Sequence, residues 1–117
     1  MILKFMLFIL LNNQSCFADS SNAKACEIVV KNLTIVKNYL DKKDIDSSGR
    51  RVGAISFLEK LTSIQSESDG NLFGKFKPTY SDYDKWAYWY ALNSKYLSLD
   101  EASGTILIYK KVEFPKW

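Results

Sequence analysis

The sequence contains no histidine, and this absence limits the chemistry available to the chain. Histidine is the commonest general base, the commonest metal ligand and the usual activator of a catalytic Ser or Cys. Metal sites of the Cys/His kind are therefore excluded. The five glycines form no phosphate-cradling loop. We expect no catalytic residue, no metal site and no cofactor, and we expect that the protein is not an enzyme.

Two acidic pairs are the only groups that keep a hydrolase among the alternatives. A glycosidase needs two carboxyl groups, and the pairs Asp82/Asp84 and Asp100/Glu101 supply them. A helix start explains the first pair equally well, and a hairpin turn explains the second. A small hydrolase is therefore the least favoured of the functions considered.

The first eighteen residues, MILKFMLFILLNNQSCFA, are typical of a secretory signal peptide. Lys4 precedes an apolar run too short to span a bilayer, and Cys16 and Ala18 are small residues at positions −3 and −1 of a cleavage site. We predict a signal peptide at 1–18 and a single domain at 19–117. The mature chain would lack a transmembrane helix and reside in the periplasm or outside the cell.

Cysteine is scarce, and its two positions leave one alternative for localisation. Cys16 could be the acylated residue of an outer-membrane lipoprotein, although Asn13 stands where such signals carry an apolar residue. If Cys16 is removed with the signal, Cys26 cannot form an intrachain disulfide. We expect Cys26 to be a small buried apolar group. Intermolecular pairing of its thiol is the minor alternative.

The charge pattern argues against nucleic acid as a partner. Sixteen basic residues face thirteen acidic ones, and the two signs are interleaved along the chain. A nucleic-acid-binding protein shows a clustered basic footprint instead. Lys110, Lys111 and Lys116 are better explained as residues that keep an edge strand soluble.

Two amphipathic helices are predicted in the first half of the chain. Residues 23–40 carry an apolar stripe at helical spacing, and Ser21 or Asn22 could cap the helix. The second helix is expected over residues 50–64. Arg50 and Arg51 lie at its N-terminal end, where the helix dipole disfavours cations. They either pair with nearby aspartates or form an anion or partner site.

The turn between these helices partly matches a calcium-binding loop. Asp44, Asp46, Ser48 and Gly49 occupy the first, third, fifth and sixth positions of such a loop. Ile55 stands at the twelfth position, where a bidentate Glu is needed. An ordinary turn explains Asp, Ser and Gly equally well, so we predict no calcium site.

The longest irregular segment, residues 65–78, is a predicted recognition loop. Loops of more than about twelve residues are often functional or disordered. This one carries apolar side chains that we expect to insert into the core. Its candidate binding residues are Phe73, Lys75 and Phe76.

An aromatic stretch, residues 79–99, is expected to organise the fold. Ser81 and Asp84 have the spacing of a capping box, which predicts a helix over residues 82–95. Tyr88 lies opposite the buried face and is the candidate platform for a sugar or a partner. The predicted buried face contains Trp86, Trp89, Tyr90, Asn93 and Leu97.

Asn93 lies within the apolar stripe of this helix. An unpaired buried amide would cost about 1–3 kcal/mol. We therefore predict that its side chain bonds to loop backbone, with residues 70–74 as the candidate segment.

The chain is predicted to end in a β-hairpin. Residues 100–104 form a turn with Gly104 in the left-handed conformation. The β-branched and aromatic run 105–110 follows as a strand. Ile106 and Ile108 should face one way, and Leu107 and Tyr109 the other.

Residues 54–106 resemble segments of uncharacterised small exported or lipid-anchored bacterial proteins. The resemblance rests on the FLEKLT segment at 57–62 and on a W-x-x-W-Y-x-x-N segment that begins at Trp86. Leu97, Asp100 and Gly104 continue it, whereas Leu99 stands where an aromatic residue is expected. The resemblance implies no activity.

We expect an α+β domain of three helices and a C-terminal β-hairpin. The leading function is a binding module for another macromolecule, of the inhibitor or immunity type, with a protein partner favoured over carbohydrate. The alternative is a carbohydrate or cell-wall binding module. The candidate binding residues are Tyr88, Phe73, Lys75, Phe76, Arg50 and Arg51. The sequence does not predict an oligomeric state.

We predict that the exported protein begins at Asp19, because cleavage after Ala18 satisfies the small-residue rule at −3 and −1. Intact-mass spectrometry of the protein recovered after export measures this directly. A diacylated species that begins at Cys16 would contradict the prediction and place the protein on a membrane surface.

Overall fold

The computed structural model describes residues 20–43, 48–68, 75 and 77–109. Within them, three α-helices precede an antiparallel hairpin, which confirms the α+β expectation. The signal segment and Cys16 lie outside the described residues. The elements are α1 (Ser20–Leu40), α2 (Ser48–Thr62), α3 (Tyr80–Asn93), a 3₁₀ turn (Ser94–Tyr96), β1 (Leu97–Asp100) and β2 (Thr105–Ile108).

The chain forms two compact units. The hairpin unit joins the residues up to Ile28 with those from Tyr88 onward, and the helical unit comprises Val29–Ala87. The buried residues of the hairpin unit are Asn22, Ala25, Cys26, Trp89, Tyr90, Asn93, Ser94 and Leu97. Those of the helical unit are Val29, Leu33, Ile35, Val36, Ala54, Ile55, Leu58, Thr62, Ser66, Pro78, Asp82, Trp86 and Ala87.

Helix α1 has the predicted stripe and ends at Leu40 as predicted, but it begins three residues earlier than expected. Its stripe residues Val29, Leu33 and Val36 are buried, as the helical spacing predicts. The helix begins at Ser20, so Ser21 and Asn22 lie in its first turn and the expectation that one of them caps it was wrong. Their side chains bond to β1 instead, as described below. Cys26 is buried, which confirms the expectation of a small buried side chain at this position. Its thiol contacts the Ser94 carbonyl.

Helix α1 ends in a motif that usually requires glycine. Lys42 adopts φ 60°, the Lys43 amide donates to the Asn38 carbonyl, and the Lys42 amide donates to the Tyr39 carbonyl. This pair of hydrogen bonds is the Schellman arrangement. The left-handed residue is strained for a lysine, and the two bonds satisfy carbonyls that the helix end would leave unpaired.

Helix α2 stops two residues before the predicted end at Ile64. Ser63 takes a left-handed φ of 63°, and its amide donates to the Glu59 carbonyl. The Thr62 hydroxyl donates to the Leu58 carbonyl and accepts the amide hydrogen of Ile64. These local bonds replace the helical ladder, which is how Ser and Thr end helices.

Helix α3 has a capping box, but it lies two residues before the predicted one. The Asp82 amide donates to the Thr79 hydroxyl at 3.0 Å, and the Thr79 amide donates to the Asp82 carboxylate at 3.0 Å. The assignment of Ser81 and Asp84 to this role was therefore wrong. Thr79 rather than Ser81 caps the helix because its partner Asp82 also accepts hydrogen bonds from a neighbouring loop. The position of the Asp82 carboxylate is therefore fixed from two sides.

The aromatic face of α3 is buried as predicted. Trp86 and Trp89 are both fully buried, and Tyr90 is nearly so. The Trp86 indole donates to the Ile64 carbonyl at 2.9 Å, which satisfies its only polar group. The Trp89 indole nitrogen is buried and has no hydrogen-bond partner among the described residues. Trp89 therefore contributes apolar burial to the fold rather than a polar contact.

Asn93 is buried and hydrogen-bonded, as expected for an amide in an apolar stripe. Its amide nitrogen donates to the Trp89 carbonyl one turn earlier in α3, at 3.0 Å. The predicted partner segment, residues 70–74, lies outside the described residues.

The hairpin follows the predicted pattern. Gly104 has φ 72°, and its amide donates to the Asp100 carbonyl at 2.7 Å. The strands pair with Leu97 opposite Ile108 and Leu99 opposite Ile106. Ile106 and Ile108 are half-buried, whereas Leu107 and Tyr109 are exposed, which confirms the alternation. Lys110, Lys111 and Lys116 lie outside the described residues.

We predict that Trp89→Ala destabilises the protein by about 3–5 kcal/mol, because it removes a fully buried aromatic side chain. Tyr88→Ala, at the next position of α3, should cost about 1–2 kcal/mol, since Tyr88 is only half-buried. Chemical denaturation of both variants measures the difference. Equal costs would contradict the assignment of Trp89 to the core.

Candidate functional site

Side chains from the first turn of α1 seal the outer edge of β1. The Leu99 amide donates to the Ser21 hydroxyl at 3.0 Å, and that hydroxyl also lies 2.9 Å from the Leu99 carbonyl. The Asn22 amide donates to the Leu97 and Ser94 carbonyls, at 2.7 and 3.0 Å. These side chains therefore take the place of a further strand. A new strand could not pair with β1 unless it displaced them.

The register of the hairpin determines which backbone groups of β2 point outward. The Tyr109 amide donates to the Tyr96 carbonyl, so this pair is hydrogen-bonded. Pairs alternate in an antiparallel ladder, so Leu107 bonds toward β1 while the N–H and C=O groups of Ile106 and Ile108 face away from it. Within the described residues, no hydrogen bond is made to these outward groups. Among these residues nothing pairs with the edge of β2, and we call it the open edge.

An exposed apolar face accompanies this open edge. Leu107 is 50% exposed and Tyr109 is 64% exposed, and the register places both side chains on the face of the hairpin away from Ile106 and Ile108. Residues 102–109 contain no charged side chain. Natural edge strands usually carry a charge or a proline that blocks pairing, and β2 has neither.

The turn of the hairpin is held by its own side chains. The Asp100 carboxylate accepts from the Ala102 amide at 3.3 Å and from the Ser103 hydroxyl at 2.9 Å. Glu101 forms an ion pair with Lys24 at 2.6 Å, and the contact raises the pKa of Lys24. Both members of this acidic pair therefore have structural contacts. We define the hairpin site as the outward face at Leu107 and Tyr109 together with the open edge at Ile106 and Ile108.

In the helical unit, the Asp82 carboxylate organises a polar cluster. Asp82 is almost fully buried, and one oxygen accepts from the Glu67 amide at 2.9 Å while the other accepts from the Ser66 hydroxyl and the Thr79 amide. The segment after α2 is thereby fixed to the start of α3. All of these contacts are structural, so they support the helix-start explanation of this acidic residue.

Tyr80, Asp41 and Lys37 form a second, exposed cluster. The Tyr80 hydroxyl donates to the Asp41 carboxylate at 2.9 Å and to the Leu40 carbonyl at 2.8 Å. Lys37 forms an ion pair with Asp41 at 2.9 Å. The Lys37 and Tyr80 contacts lower the pKa of Asp41, and the bond to that carboxylate raises the pKa of Tyr80. The Tyr80 side chain is 44% exposed.

Tyr83 lies on the following turn and is less accessible. Burial is the main cause that raises its pKa, and the negative charges of Asp84 and Asp41 add to it. Lys37 lies over the Tyr83 ring, 5.9 Å from the centroid. The raised pKa keeps this hydroxyl protonated at neutral pH.

The predicted site residues lie in separate environments. Lys75 donates to the Glu59 carboxylate at 2.9 Å and to the Ser66 carbonyl at 3.1 Å. The Arg51 guanidinium lies over the Tyr39 ring, 4.1 Å from its centroid. Arg50 is exposed and Tyr88 is half-buried.

Several predicted residues and partners lie outside the described part of the chain. Phe73 and Phe76 lie outside the described residues, as do the predicted arginine partners Asp44 and Asp46. The predicted absence of a calcium site over residues 44–55 falls partly on the same segment, so it stays a prediction.

In the described part of the chain, no group of three or more Cys, Asp or Glu side chains is placed to hold a metal ion. Among the same residues, no helix is long and apolar enough to cross a membrane.

Leu107 and Tyr109 were not among the predicted site residues. Their alternation with Ile106 and Ile108 was visible in the sequence, and the uncharged run 102–109 was the signal that could have identified them. The sealing of β1 by Ser21 and Asn22 had no such signal, because these residues lie more than seventy positions before the strand.

Comparison of the chain with protein-family models, with curated proteins and with solved structures found no match.

We predict that Asp82→Ala destabilises the protein by about 3 kcal/mol, because a buried donor left without its acceptor costs about 1–3 kcal/mol. The substitution would leave the Glu67 and Thr79 amides without their hydrogen-bond acceptor. Ser81→Ala, the control in the same turn, should cost under about 0.5 kcal/mol. Urea denaturation compares the two. A larger loss from Ser81→Ala would restore Ser81 as the cap.

Proposed function

We propose that this protein is an exported binding module that recognises another protein, of the inhibitor or immunity type, through the hairpin site. The observation that carries the proposal is the contrast between the two edges of the hairpin. β1 is sealed by Ser21 and Asn22, whereas β2 is open and uncharged beside Leu107 and Tyr109. Export rests on the signal-like segment at the start of the chain.

The chemistry of the hairpin site favours a protein as the ligand. An open strand edge offers backbone donors and acceptors at a spacing that another extended chain can match. The neighbouring Leu and Tyr side chains add apolar area, and Tyr is enriched in protein interfaces. The site lacks the positive charge that a nucleic acid would require.

A carbohydrate remains the second candidate, and the exposed Tyr80 ring favours it. An aromatic ring next to a carboxylate acceptor is a common arrangement for sugar recognition, and Asp41 lies 2.9 Å from the Tyr80 hydroxyl. Tyr88, the platform predicted from sequence, is half-buried and offers less ring area. A sugar site would therefore centre on Tyr80 rather than Tyr88.

We predict that Leu107→Lys abolishes capture of a specific envelope protein, because it places a charge in the apolar face beside the open edge. Ala102→Lys adds the same charge to the exposed turn of the same hairpin and should leave capture intact. Affinity purification from the native envelope with quantitative mass spectrometry compares the original chain and both variants.

Three outcomes decide between the candidates. A protein retained by the original chain and by Ala102→Lys, but lost from Leu107→Lys, supports the proposal. Identical protein sets from all three chains overturn it. Binding of soluble cell-wall oligosaccharides that is lost in Tyr80→Ala and kept in Leu107→Lys would establish the second candidate instead.

A further inference from the structure

The open edge of β2 is complementary to itself. The sequence around Leu107 reads Ile-Leu-Ile, so the same residue stands on each side of the central leucine. Ile106 and Ile108 both present outward N–H and C=O groups. A twofold axis through Leu107 would therefore place each donor of one copy opposite an acceptor of the other.

We propose that β2 pairs antiparallel with β2 of a second copy, with the twofold axis at Leu107. The two hairpins then form one four-stranded sheet with the order β1-β2-β2-β1. The inference goes beyond the proposed function, since it requires only the chain itself. Because a partner strand would use the same edge, self-pairing and partner binding exclude each other.

The pairing satisfies the backbone of the open edge. Ile106 of one copy faces Ile108 of the other, and each such pair exchanges both N–H···O=C bonds, as hydrogen-bonded antiparallel pairs do. Leu107 faces its own equivalent in a non-hydrogen-bonded pair, where side chains approach most closely. Thr105 of one copy faces Tyr109 of the other copy, and both side chains lie on the same side of the sheet as Leu107.

The charges of the hairpin permit this symmetry. A charged residue near a twofold axis meets its own charge, so such an axis requires an uncharged neighbourhood. Residues 102–109 provide one in a chain that is 25% charged. Within the described residues 97–109, the charges lie in β1 and in the turn, at Asp100 and Glu101.

The length of β2 sets the strength of the dimer. Stable protein interfaces bury about 1,200–2,000 Å² in total, and strands of four residues cover less than that. The self-pairing is therefore weak and depends on concentration. At low concentration the edge is available to a partner, whereas local accumulation of the protein masks it.

The register of the dimer is testable with single cysteines. Directly opposed residues of a non-hydrogen-bonded pair have Cα atoms about 4.5 Å apart, which lies within the range of a disulfide. Leu107→Cys should therefore form a disulfide-linked dimer under mild glutathione oxidation. The experiment uses exported protein with Cys16→Ser, so that the buried Cys26 is the only other thiol.

The matched controls distinguish disulfides that form in the proposed register from disulfides that form by random collision. Thr105→Cys alone and Tyr109→Cys alone should remain monomeric, whereas a mixture of the two should cross-link. Ala102→Cys, which is exposed in the turn, measures the background. Non-reducing electrophoresis should show at least a tenfold higher dimer yield for Leu107→Cys and for the mixture than for any of the three controls.

Sedimentation velocity gives a second measurement without cysteines. Ile108→Pro removes an outward N–H but none that bonds to β1, so it should abolish the concentration-dependent rise in sedimentation coefficient. Ile108→Val should retain that rise. Cross-linking of Tyr109→Cys alone at the yield of Leu107→Cys, or sedimentation of the original chain as a monomer at millimolar concentration, would overturn the proposal. Either result leaves the envelope-capture experiment to decide the proposed function.

Discussion

The hairpin depends on the hydrogen bonds that Ser21 and Asn22 make to β1. An isolated two-stranded hairpin is marginally stable in water, and β1 carries outward backbone groups that need partners. Leu97, at the start of the strand, is fully buried, so water cannot donate a hydrogen bond to its carbonyl. The first turn of α1 supplies a hydroxyl and an amide instead. This anchoring connects the first described residues to the hairpin, and among the described residues it leaves the outward groups of β2 without a hydrogen-bond partner.

A buried carboxylate has the same role in the helical unit. Residues 63–68, which follow α2, have no regular secondary structure, so their amide groups require acceptors from elsewhere. Asp82 accepts from the Glu67 and Thr79 amides and from the Ser66 hydroxyl. Glu59 adds an acceptor for the Ser66 amide and for Lys75. Asp82, which belongs to one of the two acidic pairs in the sequence, is thus an acceptor for loop backbone.

The contrast between a sealed and an open edge connects the fold to function. Within the described part of the chain, side chains of α1 satisfy the outward backbone groups of Leu97 and Leu99 in β1, whereas the outward groups of β2 receive no hydrogen bond. Soluble proteins seldom keep an uncharged edge open, because it invites aggregation. An open edge is consistent with a surface that is covered during function, either by a partner or by a second copy. The exposed Leu107 and Tyr109 extend this surface beyond the backbone, and neither of them contributes to the buried core.

Periodicity in the sequence determined the three helices, the hairpin and the burial of Trp86 and Trp89, because these features depend on spacing within single elements. The alternation of Ile106 with Leu107 likewise follows from the two-residue period of a strand. Helix ends and caps were less predictable: Thr79 and Ser81 are equally suitable caps by type, and the choice depended on Asp82 meeting the loop at Ser66. Only the tertiary structure determined that Ser21 and Asn22 seal β1, since residues so far apart in sequence meet only after folding. That long-range contact also decided which edge stays open, and therefore where the candidate site lies.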